Sequence, residues 1–488
     1  MQLYESLLQV NDFLLPIVFL LNFFFAIGIV FFRRKNPTSV VAWLLVLMLL
    51  PVLGCFLFLI FGQFYRKEKM FHLKHEAHQR ISDRMTSQVQ EVKMRANQPG
   101  NRYSWAFHRM SLLLLHDNRA LITDNNQVTP YTDGKAKFAD LTEAIRNARD
   151  HVHMEYFILK DDGLGRDIMK ALSERARAGV EVRLLVDGVG SGGLPRHFYD
   201  EFVSAGGKHA IFFPSLIPYL NYRINFRNHR KIAVIDGETA FIGGFNIGDD
   251  YLGLDPKRGY WRDAAVRIRG TGALLAQVRF YLDWNFASGD EMEVNERYFH
   301  ESPPSEGSII QVVSGGPDTE WNPVKDSYLK MITTAMESVY IQTPYFIPDE
   351  AVLDALHIAA KSGIDVRIMI PSRPDHPFVY WAGHSYIEEL LDSGVRAFTY
   401  DNGFLHAKTI VIDGMAASVG SANWDIRSFS LNFETNAVIY DERVAGELKQ
   451  AYLDDISRCT ELTPGWYAGR SLFFRFRSSV SRLFSPVL

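Results

Sequence analysis

Apolar residues fall along this chain in three regimes, and each regime predicts a different kind of element. The first is concentrated near the start. Phe13 to Phe32 and Val40 to Phe61 are nearly uninterrupted apolar stretches, separated by Arg33-Arg34-Lys35-Asn36-Pro37-Thr38. A helix rises about 1.5 Å per residue, so some twenty residues reach across a hydrocarbon core of ~30 Å. A cleaved signal peptide is the competing reading of the first stretch. It needs a positively charged start, whereas Met1 to Asp12 holds Glu5 and Asp12 and no Lys or Arg. The pattern predicts a two-helix transmembrane hairpin over residues 1–65, with the amino end and everything beyond Tyr65 on one side. Arg66, Lys67, Lys69, Lys74 and Arg80 after the hairpin outnumber the three basic residues of the loop. That count favours the cytoplasmic side for the rest of a multi-pass protein of the cell membrane, although charge density in the short loop argues the other way.

The second regime is polar. Residues 66–105 are rich in Lys, Gln and Glu and read as a juxtamembrane helical connector. His72, His75 and His78 fall here, but their spacing is not that of a His-Glu-x-x-His zinc site. From about residue 106 the third regime begins, in which short apolar runs alternate with amphipathic ones, as in α/β layers. The alternation occurs twice. Asp140 to Asp150 reads as a helix leading into the strand Val152 to Ile158, and Tyr328 to Ser338 leads into Val339 to Ile347. Ala178 to Val186 and Ser362 to Ile370 both read as a glycine-ended helix followed by a buried strand. Two similar domains are expected, over residues 106–300 and 301–463, with Ser302-Pro303-Pro304-Ser305-Glu306-Gly307 at the join. Residues 464–488 are basic and amphipathic: Arg470, Arg475, Arg477 and Arg482 interleave with aromatic and aliphatic residues, without an acid. Such a segment lies on an anionic bilayer or packs on the domain before it.

The bulk numbers narrow this picture. The chain has 488 residues, 22% of them charged and 47% hydrophobic, which is a globular composition. Its net charge of −4 argues against a dedicated nucleic-acid binder. The two cysteines, Cys55 and Cys459, suggest neither a disulfide framework nor a metal site.

The chemistry is carried by a pattern that occurs twice. His229-Arg230-Lys231-Ile232-Ala233-Val234-Ile235-Asp236 and His406-Ala407-Lys408-Thr409-Ile410-Val411-Ile412-Asp413 share the form His-x-Lys-x-x-x-x-Asp. Each is followed by a Gly-small-x-Asn group, Gly243-Gly244-Phe245-Asn246 and Gly420-Ser421-Ala422-Asn423. The spacing between copies is constant, 406 − 229 and 423 − 246 both giving 177. A half-site duplicated in this way points to one site formed between two similar domains. Residues two apart on a strand share a face, so His229 projects with Lys231 and His406 with Lys408. The six motif residues, His229, Lys231, Asp236, His406, Lys408 and Asp413, form the candidate catalytic set. Within it the aspartates have the opposite parity, stand at an Asp-Gly turn, and read as structural or as supports of the reacting groups rather than as proton carriers. Two imidazoles, two ammonium groups and the polar side chains of Asn246, Asn423 and Ser421 suit a phosphate anion. One histidine can attack phosphorus while the other protonates the leaving alcohol, with neither metal nor cofactor. Asp263 and Glu434, at similar distances beyond the two motifs, are the candidates to fix the imidazole tautomers. Gly188-Val189-Gly190-Ser191-Gly192-Gly193 satisfies a dinucleotide-binding pattern, but Pro371-Ser372-Arg373 stands at the matching place in the second half, so a tight loop near the cavity is the better reading.

The paired motifs resemble those of the phospholipase D superfamily. With Asn36-Pro37-Thr38 and Ala42-Trp43-Leu44-Leu45 in the hairpin, Gly259-Tyr260-Trp261-Arg262-Asp263, and Gly420 to Ser428, the chain resembles bacterial cardiolipin synthases along essentially its whole length. The resemblance implies two phospholipase-D-like α/β/α sandwich domains related by a pseudo-twofold axis. It also implies transfer of a phosphatidyl group from one phosphatidylglycerol to another with release of glycerol. By analogy His229 would be the nucleophile and His406 the general acid and base; the residues alone do not order them. Hydrolysis, or transfer to another alcohol, would use the same groups. A phosphodiesterase acting on nucleic acid is a more distant alternative. A membrane scaffold with a relict site is opposed by two intact motifs.

Overall fold

A computed structural model describes residues 2–32, 37–61, 87–90, 102–214, 226–293, 295–299, 307–319 and 321–485. The connector expected over 66–105 lies largely outside these residues, as do His72, His75, His78 and most of the expected join at 302–307. The chain forms two compact units, the smaller made of the N-terminal helices and the larger of the remaining described residues.

In the smaller unit the first apolar stretch lies within the helix Gln2–Phe32. The second, expected as one helix, is divided into Pro37–Leu49 and Pro51–Phe61. Proline causes the division, because Pro51 has no N–H to offer the carbonyl of Leu47 four residues back. The side-chain amide of Asn22, the one polar interruption of the first stretch, replaces that donor. It bonds Leu47 O at 3.1 Å and Pro51 O at 3.0 Å. Ile29, Leu47 and Phe58 form a buried cluster in this unit, with the rings of Phe25 and Trp43 each 5.1 Å from Phe58. Side chains of the first helix are described from Pro16 to Phe31. Among the described residues no helix is long and apolar enough to cross a membrane.

The larger unit is built on a sheet of sixteen strands among the described residues. In the first half the order is Thr123–Tyr131, Ala265–Arg269, Thr239–Gly243, Lys231–Ile235, His151–Tyr156, Glu181–Asp187 and Lys208–Phe212. The second half repeats that order with Ser308–Gly315, Asn432–Tyr440, Ala416–Gly420, Thr409–Ile412, Ser338–Gln342, Asp365–Pro371 and Arg396–Tyr400, and adds Cys459–Leu462 at its edge; the sixteenth strand, Arg227–Asn228, pairs with Asn432–Tyr440 off this path. The halves meet where Thr123–Tyr131 pairs antiparallel with Ser308–Gly315. Parallel and antiparallel pairs are mixed.

Helices cover both faces. On one, Phe138, Leu141 and Ile168 from Gly134–Asn147 and Gly163–Arg177 pack on Ala233 and Ile235. On the other, Ala273 and Ala276 from Gly272–Ala287, with Val444 and Leu448 from Glu442–Ile456, share a cluster with Ile232 and Val234. The motif strand alternates its side chains between these cores with period two. Residues of both halves contribute to the second core, Ile232 and Val411 among them. The structure is therefore α/β with a mixed sheet, layered α/β/α. Helix boundaries shift from the expected ones: Gly134–Asn147 begins earlier because the Asp133 carboxylate caps Ala136 N–H.

Each motif strand ends in a hairpin turn whose two central residues are left-handed, Asp236 and Gly237 at φ 54° and 68°, Asp413 and Gly414 at 56° and 67°. The last helix, Leu472–Leu483, packs against Pro377–Leu391. Cys459 is half-buried, its thiol 3.1 Å from Asp455 O and its pKa pushed by burial to about 12.

Candidate active site

The segments that lead into the two motifs cross between the halves. Arg227–Asn228, just before His229, pairs in parallel with Asn432–Phe433 of the second half. Phe404–Leu405, just before His406, pairs in parallel with Trp261–Arg262 of the first. Main-chain bonds extend both pairings, His229 N–H donating to Phe433 O at 3.0 Å and His406 N–H to Arg262 O at 2.7 Å. The next residue along each partner strand is the acid. Both carboxylate oxygens of Glu434 lie 3.0 Å from His229 Nδ1, and Asp263 Oδ2 lies 2.6 Å from His406 Nδ1. Each histidine thus takes its carboxylate from the opposite half.

Lys231 and Lys408 are buried, each ammonium bonding the main-chain carbonyl of its own motif histidine. Lys408 Nζ also lies 2.7 Å from His406 Nδ1. That nitrogen carries one hydrogen or one lone pair and serves one partner at a time. Donation to the ionised Asp263 is the charge-assisted choice, and it leaves the lone pair on Nε2. No described group bonds Nε2 of either ring.

Burial pushes the pKa of His229 down to about 4 against the pull of Glu434. Burial and then Lys408 push His406 to about 4. Both imidazoles are neutral near pH 7, as a nucleophile requires. Burial also lowers Lys231 to about 7 and Lys408 to about 8. For the acids, burial works upward but is outweighed, by Lys408 and His406 at Asp263 and by His229 and Lys231 at Glu434, so both lie below the usual carboxylate range. Each histidine also feels the lysine of the other half. These six groups therefore belong to one site, in which two ionised carboxylates face two lysines, Lys231 being only partly protonated near pH 7.

Comparison with known proteins gives the same grouping. A family model described as cardiolipin synthase, phospholipase-D-like domain, matches residues 141–258 and 328–456, and one described as phospholipase D-nuclease N-terminal matches 20–63. A cardiolipin synthase of Staphylococcus aureus (strain Mu50 / ATCC 700699) is 48% identical over 472 residues, 96% of this chain and 95% of that one. The chain belongs to the cardiolipin synthase family. The major cardiolipin synthase of Bacillus subtilis (strain 168) is 45% identical over 99% of this chain and 100% of its own. The crystal structure of phosphatidylserine synthase from Haemophilus influenzae Rd KW20 covers 78% of this chain and 100% of that chain at a TM-score of 0.60 and 14% identity, a likeness of fold.

In this member of the cardiolipin synthase family the two half-sites are not identical. Ser421 is expected among the substrate-binding residues, but its hydroxyl is buried and donates to Glu434 Oε2 at 2.5 Å while accepting from Thr435 N–H at 3.0 Å. It therefore holds the acid. The matching position in the first half is Gly244, where a Cβ would stand 2.0 Å from Asp263 Oδ1. The shorter acid lies directly against the glycine and accepts from Ala264 N–H at 2.7 Å. Asn246 also departs from expectation. Its Oδ1 accepts from Ile158 N–H at 3.1 Å and its Nδ2 donates to Tyr251 OH at 2.7 Å, so both ends are engaged within the protein. Asn423 Oδ1 is buried without a hydrogen-bond partner.

The motif aspartates stand apart from the imidazoles. Asp236 accepts from the backbone N–H groups of Arg149, Asp150 and His151, and Asp413 from those of Met336, Glu337 and Ser338. They pin each motif hairpin to the start of the neighbouring strand. The glycine-rich loop after Asp187 is near His229: Asp187 caps Val189 and Gly190 N–H, and Gly190 packs on Phe157, whose ring lies 4.9 Å from His229. Trp261 and Tyr251 stand 5.2 Å and 6.1 Å from His406. Sequence reasoning missed Phe157, Tyr251 and Lys137. Lys137 is buried, donates to Tyr156 OH at 3.0 Å, and is driven by burial well below the usual lysine range against the pull of Asp263. A lysine on the apolar face of a helix was the available signal.

Proposed function

We propose that the chain joins two phosphatidylglycerol molecules into cardiolipin and glycerol through a phosphatidyl-histidine intermediate. It is an enzyme of the cardiolipin synthase family; the residue roles are the present reading. The observation that carries it is the pair of imidazoles whose Nδ1 atoms are held by carboxylates of opposite halves, leaving both Nε2 atoms to act on one phosphorus. His229 Nε2 forms the P–N bond as the P–O bond to the first glycerol breaks, and His406 gives that alkoxide its proton. The hydroxyl of the second phosphatidylglycerol then returns a proton to His406 and attacks phosphorus, breaking the P–N bond. Lys231 and Lys408 offset the charge that grows on the phosphoryl oxygens. A bound phosphodiester adds one negative charge, which completes the protonation of Lys231 and raises the pKa of His406 toward that of an acid.

Residues 1–65 are read as a membrane hairpin. Phe19, Phe23, Phe24, Phe31 and Met48 are exposed, while the polar Asn22 is turned inward. That inversion suits hydrocarbon surroundings. The larger unit is read as lying on the cytoplasmic side. Hydrolysis uses the same base, so the product decides between them. Purified full-length chain, given phosphatidylglycerol vesicles and a chelator, is expected to form cardiolipin and glycerol in equal amounts. Phosphatidic acid as the main product would replace transfer by hydrolysis. Quenching with denaturant at alkaline pH, where a P–N bond survives, should trap phosphatidyl-enzyme in His406→Ala and none in His229→Ala; trapping in His229→Ala alone would reverse the roles, and equal trapping would refute their division.

A further inference from the structure

The helix Leu472–Leu483 is amphipathic in an unusual sense, since its small polar residues face the protein. Ser478 and Ser481 are buried, and Phe474 inserts among Trp381, His384 and Trp466. Arg482 bonds Glu389 at 2.6 Å and fixes the far end. The outward face is apolar: Leu472 is 84% exposed, Leu483 78%, Phe476 64% and Phe473 59%. With Val480 and Phe484 these side chains fall within an arc of about 120° at 3.6 residues per turn. Phe378, also exposed, adjoins Phe484 at a ring distance of 6.2 Å. A face this large, held rigidly and turned to solvent, marks an interaction surface.

Charge identifies the occupant. Arg477 lies along one edge of the apolar arc and Arg475 along the other, and residues 464–488 contain four arginines and no acid. A second copy related by a twofold axis would set one cationic rim against another. An anionic bilayer accepts both features at once, apolar side chains among the acyl chains and guanidinium groups at the phosphates. We infer that Leu472–Leu483 is a docking surface for an anionic leaflet, with Leu472, Phe473, Phe476, Leu483 and Phe484 inserted and Arg475 and Arg477 at headgroup level. The docking is separate from phosphatidyl transfer and does not depend on it.

The test uses the full chain in lipid nanodiscs, with Cys55→Ala and Cys459→Ala removing the native thiols. A nitroxide is attached at Phe476→Cys or, separately, at Leu483→Cys, both exposed positions whose labelling leaves the core intact. Discs of phosphatidylserine and phosphatidylcholine are compared with discs of phosphatidylcholine alone. Both labels should show a severalfold loss of collision with a water-soluble nickel chelate, and a gain with oxygen, in the anionic discs relative to the neutral ones. Free access of the chelate in anionic discs would overturn the inference. Equal protection in both lipids would overturn the anionic surface. Spin–spin broadening between two chains would assign the face to a second copy instead.

Discussion

Replacing Glu434 by glutamine tests the crossed acids most sharply. The change keeps shape and removes one charge. In the native site Oε2 accepts from Ser421 and Oε1 from Asn432 at 3.1 Å, while both oxygens face His229 Nδ1. A glutamine keeps its oxygen with one of these donors and turns its NH2 toward the imidazole. Nδ1 then becomes an acceptor, the ring proton moves to Nε2, and the lone pair needed for attack is lost. The charge-assisted bond alone is worth about 1.5–3 kcal/mol, or roughly ten- to 150-fold in rate. Full inversion of the tautomer moves the loss toward ten-thousand-fold, about the cost of the corresponding change in serine proteases. Glu434 also supports the charge on Lys231, whose pKa of about 7 has little margin. The assay is initial glycerol release from phosphatidylglycerol vesicles, with rapid-quench measurement of phosphatidyl-enzyme and a melting curve to verify the fold. The expected result is a fall in kcat and in intermediate formation at nearly unchanged KM and Tm. A variant retaining more than about half the parental kcat would refute the argument that this carboxylate sets the tautomer.

Gly244→Ser should be far more damaging than Ser421→Gly: the first forces Asp263 off His406, whereas the second removes one hydrogen bond and costs up to about tenfold in kcat; comparable losses would show that the half-sites are interchangeable. Binding of a non-reactive phosphodiester at pH 7 should take up protons, first at the partly protonated Lys231, measured by titration calorimetry in buffers of different ionisation enthalpy, and no uptake would contradict the contact of the anion with these groups. Burial holds His153, His229 and His406 at about 4 and His384 at about 3. These folded values lie below the unfolded value of about 6.5, so the unfolded chain binds more protons between them, and Tm should fall as pH drops from about 6.5 toward 4. His153→Gln should flatten that slope.

Much of the site was legible because its parts are local. The spacing from His229 to Asp236 is one strand and its turn, and the same periods and Asp-Gly turn recur 177 residues later (413 − 236). Asp263 and Glu434 could be named from sequence, but not which histidine each serves. That depends on two-residue parallel pairings between distant segments, 227–228 with 432–433 and 404–405 with 261–262. Ser421 and Asn246 were expected to bind substrate; the hydrogen bonds they make within the protein could not be read from sequence, because their partners are buried and come from other elements. The break at Pro51 was in plain view, yet its remedy was not, because Asn22 reaches it from another helix.

The exchange of acids between halves also sets when the chemistry switches on. As the chain is made, His229 emerges long before Glu434, and Asp263 long before His406. An isolated first half would present an imidazole with no carboxylate to orient it and a carboxylate with no imidazole to serve. Reactivity toward phosphodiesters therefore waits for the strand Asn432–Tyr440 to join the sheet, as latency does in enzymes kept silent by a propeptide. Here the safeguard needs no cleavage, because the order of synthesis and the topology of the sheet impose it.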